Sequence, residues 1–225
     1  MIDCSILHLL DGARQAKGLT VIIDVFRAFS LECYLYDLGA LLVRPVGSIE
    51  DALSLHEKIP GSVLIGERHG IKIEGFDFGN SPFQVEAAKE QIRGRVVIHT
   101  TSAGTQGIVN ASGATEILTG SLVNARAVAL VAMGTSGRDR AAEDELCAEY
   151  IKSLIEEKNL PDFEERRQDL RNLDGKRFFD PALQEHFPEK DYYMCIRTDA
   201  FPFVLRIGKD ELGFFSERID VPEKT

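Results

Sequence analysis

At four places in this chain, carboxylates, arginines or small hydroxyl residues follow directly on an apolar run. That placement suits the handling of a divalent metal and a phosphate. A carboxylate can ligate the ion, and an arginine can grip phosphate oxygens through its fork of donors. Asp24 closes the run LTVIID, and Arg27 follows three residues later where a helical pattern starts. The pair reads as a metal ligand beside a phosphate donor, or more plainly as an Asp–Arg cap on the next helix. The second place, Gly66-Glu67-Arg68-His69-Gly70 with its continuation to Ser81, is too glycine-rich and too charged for a core. Glu67 and Asp77 are its candidate metal ligands. Asn80 and Ser81 stand at a helix N-terminus, where backbone N–H groups and the dipole favour an anion. His69 reads as a solvated loop histidine.

The third place runs from His99 to Gly107. Thr101, Ser102 and Thr105, with Gly104 and Gly107, sit between a strand and a helix and could cradle a phosphate. No Gly-Lys-Ser/Thr follows, and G-x-G-x-x-G is absent, so the signal is for a generic anion. The fourth place is Gly134-Thr135-Ser136-Gly137-Arg138, followed by Glu143-Asp144-Glu145 at the head of a long helix. Glu143 and Asp144 either complement the helix dipole or act as metal ligand and general base. No aspartate stands two residues after Asp24, and no cysteine heads a C-x5-R loop. Two common phosphatase designs are therefore missing.

These residues can cooperate only if the fold gathers them. The apolar runs at 19–24, 41–46, 63–66 and 95–99 read as strands, with a weaker strand at 116–118 and a stronger one at 127–133. Helical patterns fill 28–38, the segments opened by Ser48 and by Ser81-Pro82, a short piece after Gly107, and 142–157. Such alternation predicts an α/β fold of three layers, α/β/α, around a mostly parallel or mixed sheet. Ligands in these sheets bind beyond the carboxyl ends of the strands, which predicts all four places on one edge. The polar stretch 159–189, broken by Pro161, Pro181 and Pro188, reads as a helical excursion from a single domain spanning 1–225. A strand pair at 201–207 and 212–219 follows it.

A net charge of −10 argues against nucleic acid and against an anionic membrane surface, since both need clustered Lys and Arg. An anionic substrate would then need a local positive site. The four cysteines (Cys4, Cys33, Cys147 and Cys195) form no C-x-x-C and read as free thiols. The N-terminal stretch lacks a basic n-region, and no apolar run approaches the roughly 18 residues that span a bilayer. The expected location is the cytoplasm. The oligomeric state stays open, a homo-oligomer included.

The same segments resemble the 2-phosphosulfolactate phosphatases of coenzyme M biosynthesis. The resemblance rests on VIIDVFRAFS (21–30), GERHGIKIEGFDFGNSP (66–82), TTSAGTQG (100–107) and EDELCA (143–148), in order along the chain, with a weaker echo at 193–199. It implies a three-layer α/β/α fold and Mg²⁺-dependent hydrolysis of (R)-2-phospho-3-sulfolactate to 3-sulfolactate and phosphate. Family roles would fall on Asp24, Arg27, Glu143 and Asp144 in catalysis, and on Asp24, Glu67, Asp77 and Asp144 as metal ligands. Arg68, Asn80, Ser81, Thr101, Ser102, Gly104 and Thr105 would bind the phosphorylated, sulfonated substrate. Two other readings remain at this stage: a phosphatase for another phosphorylated 2-hydroxy acid, and a non-catalytic anion-binding protein. One departure bears on them. Phe29-Ser30-Leu31 stands where many relatives continue with Ser-Thr after Arg-Ala, and a turn touching the sulfonate there would change the substrate.

Overall fold

A computed structural model describes residues 5–125, 130–132 and 139–221. Gly134 to Arg138, part of the fourth candidate segment, lies outside them. The strands are β1 (Ile6–His8), β2 (Gly18–Ile23), β3 (Leu42–Pro45), β4 (Val63–Arg68), β5 (Ile71–Lys72), β6 (Val96–Thr100), β7 (Ala114–Gly120), β8 (Leu130–Ala132), β9 (Phe203–Asp210) and β10 (Gly213–Asp220). The helices are α1 (Leu9–Gln15), α2 (Ala28–Asp37), α3 (Ile49–Lys58), α4 (Pro82–Ala87), α5 (Gly104–Asn110), α6 (Ala142–Ile155), α7 (Phe163–Asp169) and α8 (Glu189–Cys195). Among the described residues no helix is long and apolar enough to cross a membrane.

The strands lie in the order β1-β8-β2-β7-β9-β10-β3-β6-β4-β5. Two groups are internally parallel: β1, β8, β2 and β7 in one, β3, β6 and β4 in the other. The β9–β10 hairpin joins them, antiparallel to β7 on one side and to β3 on the other. Three antiparallel steps separate the groups, so they run in opposite senses. The sheet is mixed, and its strand ends do not share one edge as a uniformly parallel sheet would require. Residues that follow β2, β4 and β6, from both groups, nevertheless line one cavity.

Alternation along the strands sends side chains to both faces, which is why helices cover both. Val21 and Ile23 of β2 pack with Leu146, Cys147 and Ile151 of α6. Ile22, between them, packs with Ala13 of α1 and Ile108 of α5. In the other group Val63, Ile65 and Val97 meet Leu31 and Leu35 of α2, whereas Leu64 and Ile98 meet Ala52 and Leu55 of α3. Ala28 to Leu35 of α2 are all buried, as expected of a helix enclosed on every side.

Several local signals hold. Ser48 caps α3 by accepting from Asp51 N, and Ser81 caps α4 by accepting from Gln84 N. Gln84 Nε2 donates to Glu185 O, so the Gln84 side chain ties α4 to the 159–189 region. The stretch after Gly66 is more ordered than a polar loop. β4 continues to Arg68, turns at His69 (φ 55°) and Gly70 (φ 82°), and returns antiparallel as β5. Positive φ at both central residues is the two-residue turn that matches strand twist, and it explains the glycine. The 159–189 region is α7 and short 3-10 turns, with Leu170, Phe178 and Phe187 seated in the α6 core.

Candidate active site

A cavity of about 180 Å³ lies where the loops after β2, β4 and β6 meet the start of α6. Four carboxylates reach it: Asp24, Glu67, Glu143 and Asp144. Arg27, Arg177, Asn80, Ser102 and Phe187 are also on its wall.

Asp24 follows the last residue of β2 and binds the two halves of the fold together. Its Oδ1 accepts from Ala28 N (2.9 Å) and its Oδ2 from Gly104 N (3.0 Å), so the carboxylate spans the first turns of α2 and α5. Gly104 permits this approach, since a Cβ there would sit 2.9 Å from Oδ2 and 3.0 Å from Ala28 Cβ. Burial pushes the Asp24 pKa up to about 6 against the pull of those amides, and the charge of Glu67 adds to the rise. Glu67 organises the neighbouring loops. Its Oε1 accepts from Ser102 N (2.6 Å), and its Oε2 from Gly70 N (2.6 Å) and Ser102 Oγ (3.1 Å).

Glu143 and Asp144 divide their roles. Asp144 Oδ1 accepts from Val25 N (2.8 Å), pinning the head of α6 to the end of β2. Glu143 is buried, and among the described residues its Oε2 has no hydrogen-bond partner. Burial, then the charges of Asp144 and Asp174, push its pKa well above the ordinary glutamate value. An orphaned buried carboxyl oxygen facing a cavity invites a ligand or a cation.

The two arginines differ. Arg27 is 3% exposed; its Nη1 donates to Asp191 Oδ2 (2.8 Å) and His186 O (2.8 Å), and its Nη2 to Gly70 O (3.2 Å). Three of its five N–H donors are thus committed to the fold, although the side chain also lines the cavity. Arg177 makes no hydrogen bond or ion pair among the described residues, its Nε is buried without a partner, and its head stands 5.1 Å from the Phe187 ring centroid. Nothing in the sequence marked Arg177, which lies in the polar stretch taken as an excursion.

The other expected site residues separate. Asn80 and Ser102 line the cavity. Asp77 does not: it is exposed, and its Oδ2 accepts from Leu64 N (2.8 Å). Ser81 Oγ donates to Asp191 Oδ1 (2.9 Å), and Arg68 donates to Glu67 O and Thr100 Oγ1, so neither faces the cavity. Thr101 Oγ1 accepts from Thr105 N, and Thr105 Oγ1 accepts from Thr101 N and donates to Thr101 O, which fixes the turn into α5; neither residue lines the cavity. Phe29 and Ser30 are fully buried, with Ser30 Oγ on Val25 O and Ser121 Oγ. The Phe29–Leu31 departure therefore sits in the core and is not on the cavity wall.

Asp24 carries a stability consequence. Its folded pKa of about 6 exceeds the model-peptide value of 3.8, so the folded state binds the proton more tightly. The stabilisation from this group is fully present below pH 3.8 and is lost as pH rises through 6. It amounts to about 3 kcal/mol. Urea unfolding of wild type and Asp24→Asn across this range should show the wild type losing that much relative to the variant. A pH-independent difference would remove Asp24 as the cause.

A family model described as 2-phosphosulpholactate phosphatase matches residues 4–209. A relative from Carboxydothermus hydrogenoformans, named "Probable 2-phosphosulfolactate phosphatase", is 39% identical over 147 residues, 61% of this chain and 60% of the relative. Proteins of the same name from Clostridium acetobutylicum and Bacillus subtilis are 32% and 29% identical, over 85% of this chain in each case and 90% and 88% of theirs.

Proposed function

The chain belongs to the 2-phosphosulfolactate phosphatase family, and from that premise we propose that its cavity hydrolyses (R)-2-phospho-3-sulfolactate to 3-sulfolactate and phosphate. One observation carries the reading: four carboxylates share a small cavity with the Arg177 guanidinium, which has no ion pair among the described residues. Carboxylates gathered beside a phosphate ester raise the cost of binding it, and a divalent cation in the site would offset that cost.

Magnesium fits that need. Among the described residues no three His, Cys, Asp or Glu side chains are already clustered as a metal cage. Magnesium asks for less: one or two carboxylates, with waters and substrate phosphate oxygens completing its shell. Asp24 and Asp144 would hold it, near the orphaned Glu143 oxygen. Glu67 acts one step back, by fixing the Gly70 and Ser102 loops. When bound there, the ion offsets phosphate charge and lowers the pKa of water.

The chain's own residues then have distinct tasks. Arg177 donates to non-bridging phosphoryl oxygens and stabilises the charge that spreads over them in the transition state. Glu143, whose pKa burial raises, would pass a proton to the 2-oxygen of sulfolactate as the P–O bond breaks. It recovers a proton from the water that adds to phosphorus. Asn80 offers an amide to the substrate. Phe187, packed against Arg177, limits access of further water. The free thiols Cys33, Cys147 and Cys195 are buried, which suits a reducing cytoplasm.

Purified protein with Mg²⁺ should release phosphate from phosphosulfolactate faster than from a panel of other phosphorylated 2-hydroxy acids, and a chelator should stop it. Preference for another panel member would move the substrate. Ligand binding without turnover would replace the enzyme by a binding protein.

A further inference from the structure

A titratable pair with no part in this chemistry lies directly behind the cavity wall. Glu32, in the second turn of α2, and His99, in β6, are both 0% exposed. His99 Nδ1 is 3.0 Å from Glu32 Oε1, and His99 Nε2 is 3.3 Å from Asn80 Oδ1. Asn80 lines the cavity. Three elements therefore form one polar line from the core to the site. Burying a carboxylate and an imidazole is costly unless each is paired. Glu32 keeps one oxygen without a partner even so, which makes a purely structural role an expensive one.

We propose that Glu32 and His99 are positioning residues that fix the Asn80 amide with its Nδ2 hydrogens towards the cavity, as donors to an anionic oxygen of the substrate. A carboxylate at Nδ1 requires a hydrogen there, and a carbonyl oxygen at Nε2 requires a second one. In this arrangement both ring nitrogens of His99 donate, Nδ1 to Glu32 Oε1 and Nε2 to the oxygen end of the Asn80 amide. The nitrogen end is left for the cavity, and Asn80 Nδ2 makes no hydrogen bond among the described residues. The opposite amide orientation would add an acceptor to a wall already crowded with carboxylates and would repel the anion. Only the identity of that anion rests on the phosphatase reading.

Two measurements test this. Nitrogen-15 spectra of the histidine rings, with His99 assigned by its loss in His99→Gln, should show both His99 nitrogens protonated at pH 7.5. A neutral ring would overturn the proposal. Calorimetry with inorganic phosphate and Mg²⁺ then forms a double-mutant cycle. His99→Leu and Asn80→Ala should each weaken phosphate binding about tenfold, and the double variant should also lose about tenfold, because His99 acts through Asn80. His99→Gln, whose amide can still donate to Asn80 Oδ1, should recover most of the loss. Additive losses of about a hundredfold would refute the coupling. If His99→Leu fails to fold, the ring spectra of the wild type and the binding of His99→Gln decide the matter. Phosphate binding without ester turnover would sink the phosphatase reading and leave this proposal standing.

Discussion

Asp24→Asn is expected to lower phosphate release by roughly a thousandfold, several kcal/mol of lost transition-state stabilisation, while leaving a folded protein. The substitution keeps the shape of the side chain and removes its charge. One amide oxygen can still accept from Ala28 N or Gly104 N, the two donors that meet Asp24 now. The other donor is left facing an NH₂ group, at a cost of about 1–3 kcal/mol. That loss is offset by relief of a buried charge whose pKa stands at about 6. Melting temperature should therefore change little, and the two effects separate cleanly. Phosphate release at saturating Mg²⁺, read beside a melting curve, checks both. An active variant would remove Asp24 from the chemistry, and an unfolded one would make it a structural staple only.

Arg177→Ala should reduce kcat/KM about a hundredfold or more, since hydrogen bonds to charged groups contribute about 1.5–3 kcal/mol each. Stability should hold, because this guanidinium has no hydrogen bond or ion pair to lose among the described residues. Arg177→Lys should restore part of the rate, as a point charge without the fork. Arg27→Ala is the informative contrast. It would leave Asp191, 0% exposed, without its ion partner, and should destabilise the fold by about 3–5 kcal/mol. Steady-state kinetics and urea melts on the two alanine variants would test the division. Equal loss of stability in both would contradict it.

Much of this site could be read from the chain. The placement of Asp24, Glu67, Ser102, Glu143 and Asp144 after apolar runs or at a helix start is local information, and they line one cavity. The pairing of Arg27 with Asp191, 164 residues away, is not legible in the sequence, because no local pattern announces a partner at that distance. Arg177 was invisible for the same reason: its neighbours in sequence are polar, and its neighbours in space come from other elements. Thr101 and Thr105 looked like open donors because composition cannot say that two hydroxyls will satisfy each other's backbone. In the fold, alternating elements gave the α/β class, but a hairpin between the parallel groups is set by long-range pairing. The short β1 and α1 fell below the length at which periodicity speaks.

The β9–β10 hairpin supplies no residue of the cavity wall, yet it sits between β7 and β3. It is also made after every other described strand. During synthesis the two parallel groups must therefore wait, each with an open edge, until residues 203–220 have left the ribosome. Pairing Ser216 with Val43 closes a very long loop, the kind of contact that slows folding and leaves intermediates prone to aggregation. A nascent chain stalled before its final hairpin would carry every cavity-lining residue without the strands that join its two halves.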